Sequence, residues 1–102
     1  DILLDMRLSK QNIKKISQYF KQKPVLKAYL FGSQATGEAT KSSDVDILVE
    51  LDYTQKIGLL FVQMQLDLED ILNRKVDLVS HKGISKYIKA NVEKNKQLIY
   101  VR

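Results

Sequence analysis

The segment spanning residues 29–49, YLFGSQATGEATKSSDVDILV, constrains this chain more than any other. An apolar run, Tyr29-Leu30-Phe31, stops at Gly32-Ser33. Ten residues later Asp44-Val45-Asp46 opens a second apolar run, Ile47-Leu48-Val49. Short apolar runs bounded by turn residues read as strands, and the Gly-Ser pair reads as the turn that ends the first. In a strand, residues two apart share a face. Asp44, Asp46, Leu48 and Glu50 therefore project to one side. Val45, Ile47, Val49 and Leu51 project to the other and form a clean apolar face for a core. The two aspartates leave the start of the strand together. A strand, a Gly-Ser turn and a strand with two carboxylates are the parts of a metal-dependent phosphate-transfer site. Hard cations take oxygen ligands and bridge to phosphate, and glycine lets a phosphate approach the backbone closely.

The flanking sequence supplies the elements such a site needs. Ser9 reads as a helix N-cap, followed by Ile13, Ile16 and Phe20 at helical spacing; Pro24 prevents that helix from continuing. Val25 to Phe31 reads as a strand with Leu26, Ala28 and Leu30 on one face and Val25, Lys27, Tyr29 and Phe31 on the other. Residues 34–39 allow a short helix whose start, near Ser33, offers backbone N–H groups and positive dipole to a phosphate. After a turn at Asp52–Gln55, with Thr54 as cap, an amphipathic helix is expected over residues 56–73. Ile57, Leu60, Phe61, Met64, Leu68, Ile71 and Leu72 face the core, and Asp67, Glu69 and Asp70 lie on a solvated side. Val76 to Ser80 reads as a short, buried strand. Asp77 inside it calls for a reason: metal, or a salt bridge to Arg74 or Lys75. His81-Lys82-Gly83 reads as a surface turn. A last helix over residues 84–95, basic on its outer side, leads to an edge strand, Gln97 to Val101. The five tyrosines, Tyr19, Tyr29, Tyr53, Tyr87 and Tyr100, read as packing residues.

Length and composition narrow the setting. One hundred and two residues are expected to form a single domain over 1–102. No apolar run approaches the roughly 20 residues of a membrane-spanning helix, and no secretory leader is read. The chain begins with Asp1, so its start is expected to be trimmed or to lie at Met6. Cysteine is absent, which excludes thiolate metal sites and cysteine nucleophiles and agrees with a cytoplasmic home. The net charge of +5 has no Arg-rich run behind it. It reads as a solvated surface, and direct nucleic-acid binding is not expected.

The spacing G-S-x10-D-x-D on a strand-turn-strand resembles the nucleotidyltransferase superfamily of DNA polymerase β type. The shortness of the chain and the phrase SSDVDILV look like its minimal nucleotidyltransferase (MNT) branch. LEDILNRKVDLVS is similar to that branch's helix leading into the strand with a third carboxylate. The resemblance covers about residues 25–102. It implies an α/β (α+β) nucleotidyltransferase fold, a small mixed sheet flanked by helices. It implies that Gly32, Ser33 and Ser43 bind the nucleotide triphosphate. Asp44 and Asp46 would bind Mg2+, with Asp77 as third ligand and base. Members of the branch act as antitoxins to HEPN-domain ribonuclease toxins encoded beside them and transfer AMP from ATP to a toxin tyrosine. The branch often reads G-S-x-A-R-G where this chain has Thr36 in place of the arginine; Lys41 is the nearest substitute. Two alternatives stay open: an antitoxin that neutralises by contact with weak or no catalysis, and a transferase acting on RNA or a small molecule, supported by the basic last helix.

Overall fold

The computed structural model describes residues 8–32, 44–84 and 86–102. Helix α1 spans Lys10–Phe20, and Ser9 caps it: its hydroxyl accepts from the backbone N–H of Asn12 at 3.1 Å. Strand β1 (Val25–Phe31) pairs antiparallel with β2 (Val45–Leu51), which pairs parallel with β3 (Val76–Ser80). Between β2 and β3 runs α2 (Leu60–Leu72). A single 3-10 turn, His81–Gly83, leads to α3 (Lys86–Asn95) and to β4 (Gln97–Val101), which pairs antiparallel with the free side of β1. The sheet order is β3-β2-β1-β4, a mixed four-stranded sheet.

One face of the sheet carries most of the core. Val25, Ala28 and Leu30 of β1, Val45, Ile47, Val49 and Leu51 of β2, and Val76 and Leu78 of β3 pack there. They meet Ile16 and Phe20 of α1 and Met64, Leu68 and Leu72 of α2. Leu68 is fully buried, so Leu68→Ala is expected to cost about 3 kcal/mol. Denaturant unfolding checks this as a lower midpoint at unchanged slope. The outer face is covered more thinly, by Val92 of α3 over Tyr29 and Leu48, with Phe31, Val79 and Ile84 beside them.

Two bulges shift the strict alternation. In β1 the register slips between Val25 and Lys27, so Val25 joins Ala28 and Leu30 in the core while Leu26, expected beside them, is exposed with Lys27. In β4 the slip against Ala28 and Tyr29 lets Ile99 and Tyr100 both reach the core and turns Leu98 outward. Other boundaries also differ from expectation. Helix α2 begins at Leu60, not near residue 56: Gly58 has φ +44°, a left-handed conformation that interrupts the helical path. Thr54 caps no helix. It donates its N–H and hydroxyl to Asp52 Oδ1, at 3.1 and 2.5 Å. Nor are the acids of α2 merely solvated: Asp67 accepts from the hydroxyl of Tyr19 at 2.5 Å, and Glu69 accepts the backbone N–H of Val76 at 3.0 Å.

The last residue closes the sheet end. The Arg102 guanidinium donates to Asp52 Oδ2 at 2.8 Å and to the Lys23 carbonyl at 3.3 Å, and its N–H bonds the Leu26 carbonyl. The Thr54 hydroxyl and the guanidinium hold the Asp52 carboxyl well below the usual carboxylate range. A depressed folded value means that this stabilisation is present above pH about 4 and fades as pH falls further. Arg102→Met is expected to lower the melting temperature at pH 7 by a few degrees, with the deficit starting to shrink below pH 4. Thermal scans across that range test it.

Candidate active site

Three strand ends meet at one edge of the outer face. β1 finishes there at Phe31, and β2 and β3 begin there at Val45 and Val76. The register is set by the core: Val45 and Ile47 lie opposite Val76 and Leu78, all buried. A slip of one residue would turn every β3 side chain to the other face and bury Asp77, so the hydrophobic pattern pins the pairing. Its consequence on the outer face is that Asp46 stands opposite Asp77. On its other side Asp46 is opposite Phe31, with Gly32 next in the chain.

Gly32 has φ +65°, where glycine is favoured, and a Cβ placed on it would collide with Asp46 Oδ2 and lie 3.4 Å from Asp46 Cγ. The backbone at the end of β1 is therefore closed down on one carboxylate. Burial, then the negative charges of Asp77 and Asp44, push the Asp46 carboxyl up to about 6. Asp46 is half-buried; Asp44, one residue before β2, and Asp77 are exposed. The expectation that Asp77 sits in a buried strand is thus corrected. β3 is the outermost strand of the sheet, and the outward side of Asp77 faces solvent.

Among the described residues no three His, Cys, Asp or Glu side chains converge tightly enough to enclose an ion as they stand. What the geometry holds is a carboxylate pair in register, a third carboxylate two residues before the first, and a glycine against them. Mutual repulsion spreads such a set, and a hard cation offsets it; an all-oxygen, multiply negative donor set fits magnesium. Ser33, Ser43, Thr36, Lys41 and the expected 34–39 helix lie outside the described residues. Beyond Asp46 the outer row of β2 continues to Leu48, packed under α3, and to Glu50, which accepts from the hydroxyl of Tyr29 at 3.1 Å.

The polymerase β nucleotidyltransferase domain model matches residues 14–102. The chain belongs to this nucleotidyltransferase family. A protein of Methanocaldococcus jannaschii provisionally named a protein adenylyltransferase is 37% identical over 95 residues, spanning 90% of this chain and 93% of its own. The protein adenylyltransferase MntA of Thermococcus cleftensis is 36% identical over 72 residues, 71% of this chain and 70% of that one. A chain in a toxin–antitoxin crystal structure with AMP-PNP is 25% identical and superposes with a TM-score of 0.73, over 93% of this chain and 75% of that chain. These likenesses fall in the minimal branch.

For this nucleotidyltransferase the mixed four-stranded sheet with its helices agrees with the expected fold. Of the three aspartates read from sequence, Asp46 and Asp77 stand opposite one another and Asp44 lies one residue before β2. Sequence reasoning missed the outer-face set of Tyr29, Glu50 and Lys96. The Lys96 ammonium sits 4.4 Å from the Tyr29 ring centre and 3.0 Å from Glu93. Tyr29 was read as packing only; its partner lies 21 positions away, and no local spacing announces it. No helix among the described residues is long and apolar enough to cross a membrane.

Proposed function

We propose that this nucleotidyltransferase is a magnesium-dependent protein adenylyltransferase, transferring AMP from ATP to a tyrosine hydroxyl of a HEPN-domain toxin encoded beside it and so acting as its antitoxin in the cytoplasm. The observation that carries the reading is the register of Asp46 against Asp77, with Gly32 closed onto Asp46. Support also comes from relatives named protein adenylyltransferases and from the likeness to a toxin–antitoxin structure with AMP-PNP. The whole of residues 1–102 is read as one domain built around that centre.

On this reading Asp44, Asp46 and Asp77 hold magnesium. Bound there, magnesium supplies charge neutralisation for the phosphates and for the pyrophosphate that leaves. Gly32, whose missing side chain makes room for Asp46, would turn its backbone to the triphosphate beside that carboxylate, and Ser33 and Ser43 would donate to phosphate oxygens. Asp77, exposed at the sheet edge, is placed to take the proton of the incoming phenol. Asp46, between Asp77 and the Gly32 turn, sets the position of the others.

The test is incubation of the purified chain with the neighbour-encoded helical protein, ATP and Mg2+, followed by intact-mass analysis of that protein. A gain of one or more adenylyl groups is expected, and Asp44→Ala/Asp46→Ala should abolish it. No gain, or the same gain with the double variant, overturns the reading. Thr36, in place of the arginine common in the branch, favours a second reading, neutralisation by contact alone. In that case the double variant would still protect cells from the toxin.

A further inference from the structure

We infer that the half of the outer sheet face not covered by α3 is the docking surface for the protein acceptor, and that it takes an apolar segment flanked by carboxylates. The inference rests on the protein-acceptor reading and deepens it. The two bulges carry it. Each turns a leucine outward: Leu26 in β1 and Leu98 in β4. Regular alternation would have placed both on the core side. With Val101 and Tyr53 they expose 38%, 53%, 55% and 51% of their surfaces. Leu26, Glu50, Leu51, Tyr53, His81 and Lys82 line a groove of about 130 Å3 at this end of the sheet. Concave, mostly apolar ground with an aromatic wall is the shape in which a partner's anchor residue is held.

Charge selects the occupant. Two of the nearby acids are ion-paired, Asp52 with Arg102 and Glu93 with Lys96, while Glu50 accepts from the Tyr29 hydroxyl and keeps its charge. At the rim of the patch, Lys27 and Lys82 have no carboxylate partner among the described residues. Lys27 lies beside Leu26 and Val101, and the Lys82 ammonium stands 4.3 Å from the Tyr53 ring centre. A second copy of this chain, at net +5, would bring like charge to a basic rim; an acidic partner segment complements it. Position agrees. Lys27 and Phe31 lie on one strand, four residues and about 13 Å apart, on the face that carries Asp46 and Asp77. Val92 of α3 packs over Tyr29 and Leu48 between the two, so an acceptor seated on the patch reaches the carboxylates by spanning α3.

The experiment measures binding of the purified neighbour-encoded helical protein by calorimetry, at low and high salt, together with sedimentation of each protein alone. Leu26→Glu/Leu98→Glu is expected to weaken binding about 100-fold, and Lys27→Glu/Lys82→Glu about tenfold with loss of the salt dependence. Val62→Glu/Leu66→Glu, equally exposed on α2 at the opposite face, should leave affinity unchanged. The charge-reversal pair keeps both leucines, so a folding defect in the first variant does not remove the test. Unchanged affinity in the first two variants, or a loss confined to the α2 variant, overturns the docking assignment while leaving adenylyl transfer standing. A dimer of the unaltered chain that dissociates with Leu26→Glu/Leu98→Glu assigns the patch to a second copy and overturns it as well. No binding by the unaltered chain overturns both this assignment and the protein-acceptor reading.

Discussion

Gly32→Ala is expected to lower adenylyl transfer at least 100-fold while leaving the chain folded. Two effects act on different links of the argument. The first is local: alanine at φ +65° costs about 1–2 kcal/mol of stability. The second concerns the site. The new Cβ collides with Asp46 Oδ2, and because that oxygen ends a rotatable side chain, the carboxylate swings away and the fold survives. Displacement of a reacting group by about 1 Å is enough for a 100-fold loss. Circular dichroism with single-turnover transfer on the same preparation separates the two: a melt a few degrees lower with native signal, and a collapsed rate. Full activity in a folded Gly32→Ala protein would mean that Asp46 does not work from its observed position.

Asp46→Asn is expected to remove transfer, by about a thousandfold or more, and at the same time to stabilise the metal-free protein. The amide keeps the shape and discards the charge. The Asp46 carboxyl is pushed up to about 6 by burial and by Asp77 and Asp44. A raised folded value means that the stability associated with protonated Asp46 is complete below about pH 4 and is lost as pH rises through about 6. A two-unit shift corresponds to about 3 kcal/mol, which solvent screening at a half-buried group reduces to about 1 kcal/mol. In a chain of this size that is a rise of about 4–8 °C in melting temperature at pH 7.5 and none at pH 4. Thermal scans in chelator at the two pH values check it. A site that destabilises its own fold is what is expected where charge is gathered for a ligand.

The centre of this fold was legible in the sequence because β2 alternates without exception. Val45, Ile47, Val49 and Leu51 define the core face, and the face of Asp46 follows from them. The β1 and β4 boundaries were equally plain, but their bulges at Leu26 and Ile99 were not, since no glycine or turn residue marks either one. A bulge is decided by the neighbouring strands, and a single strand does not record it. The same holds for Asp77: an apolar run does not say whether its strand is central or outermost, and the edge position of β3 removes the burial cost that the run implied. The late start of α2 was hidden by Ile57, which packs on the core at helical spacing although Gly58 breaks the helix. The grouping of Asp44, Asp46 and Asp77 into one centre is what the resemblance of the G-S-x10-D-x-D spacing implies; the register of β2 to β3 accounts for Asp46 standing opposite Asp77.

The most direct measurement is the effect of magnesium on melting temperature at pH 7.5, for the unaltered chain and Asp46→Asn side by side. Without metal the Asn variant should melt higher. Millimolar magnesium, with a non-hydrolysable ATP analogue, should raise the unaltered chain and leave the variant nearly unmoved, closing or reversing the gap. Equal shifts in the two proteins, or none in the unaltered chain, would contradict a magnesium centre built on Asp46.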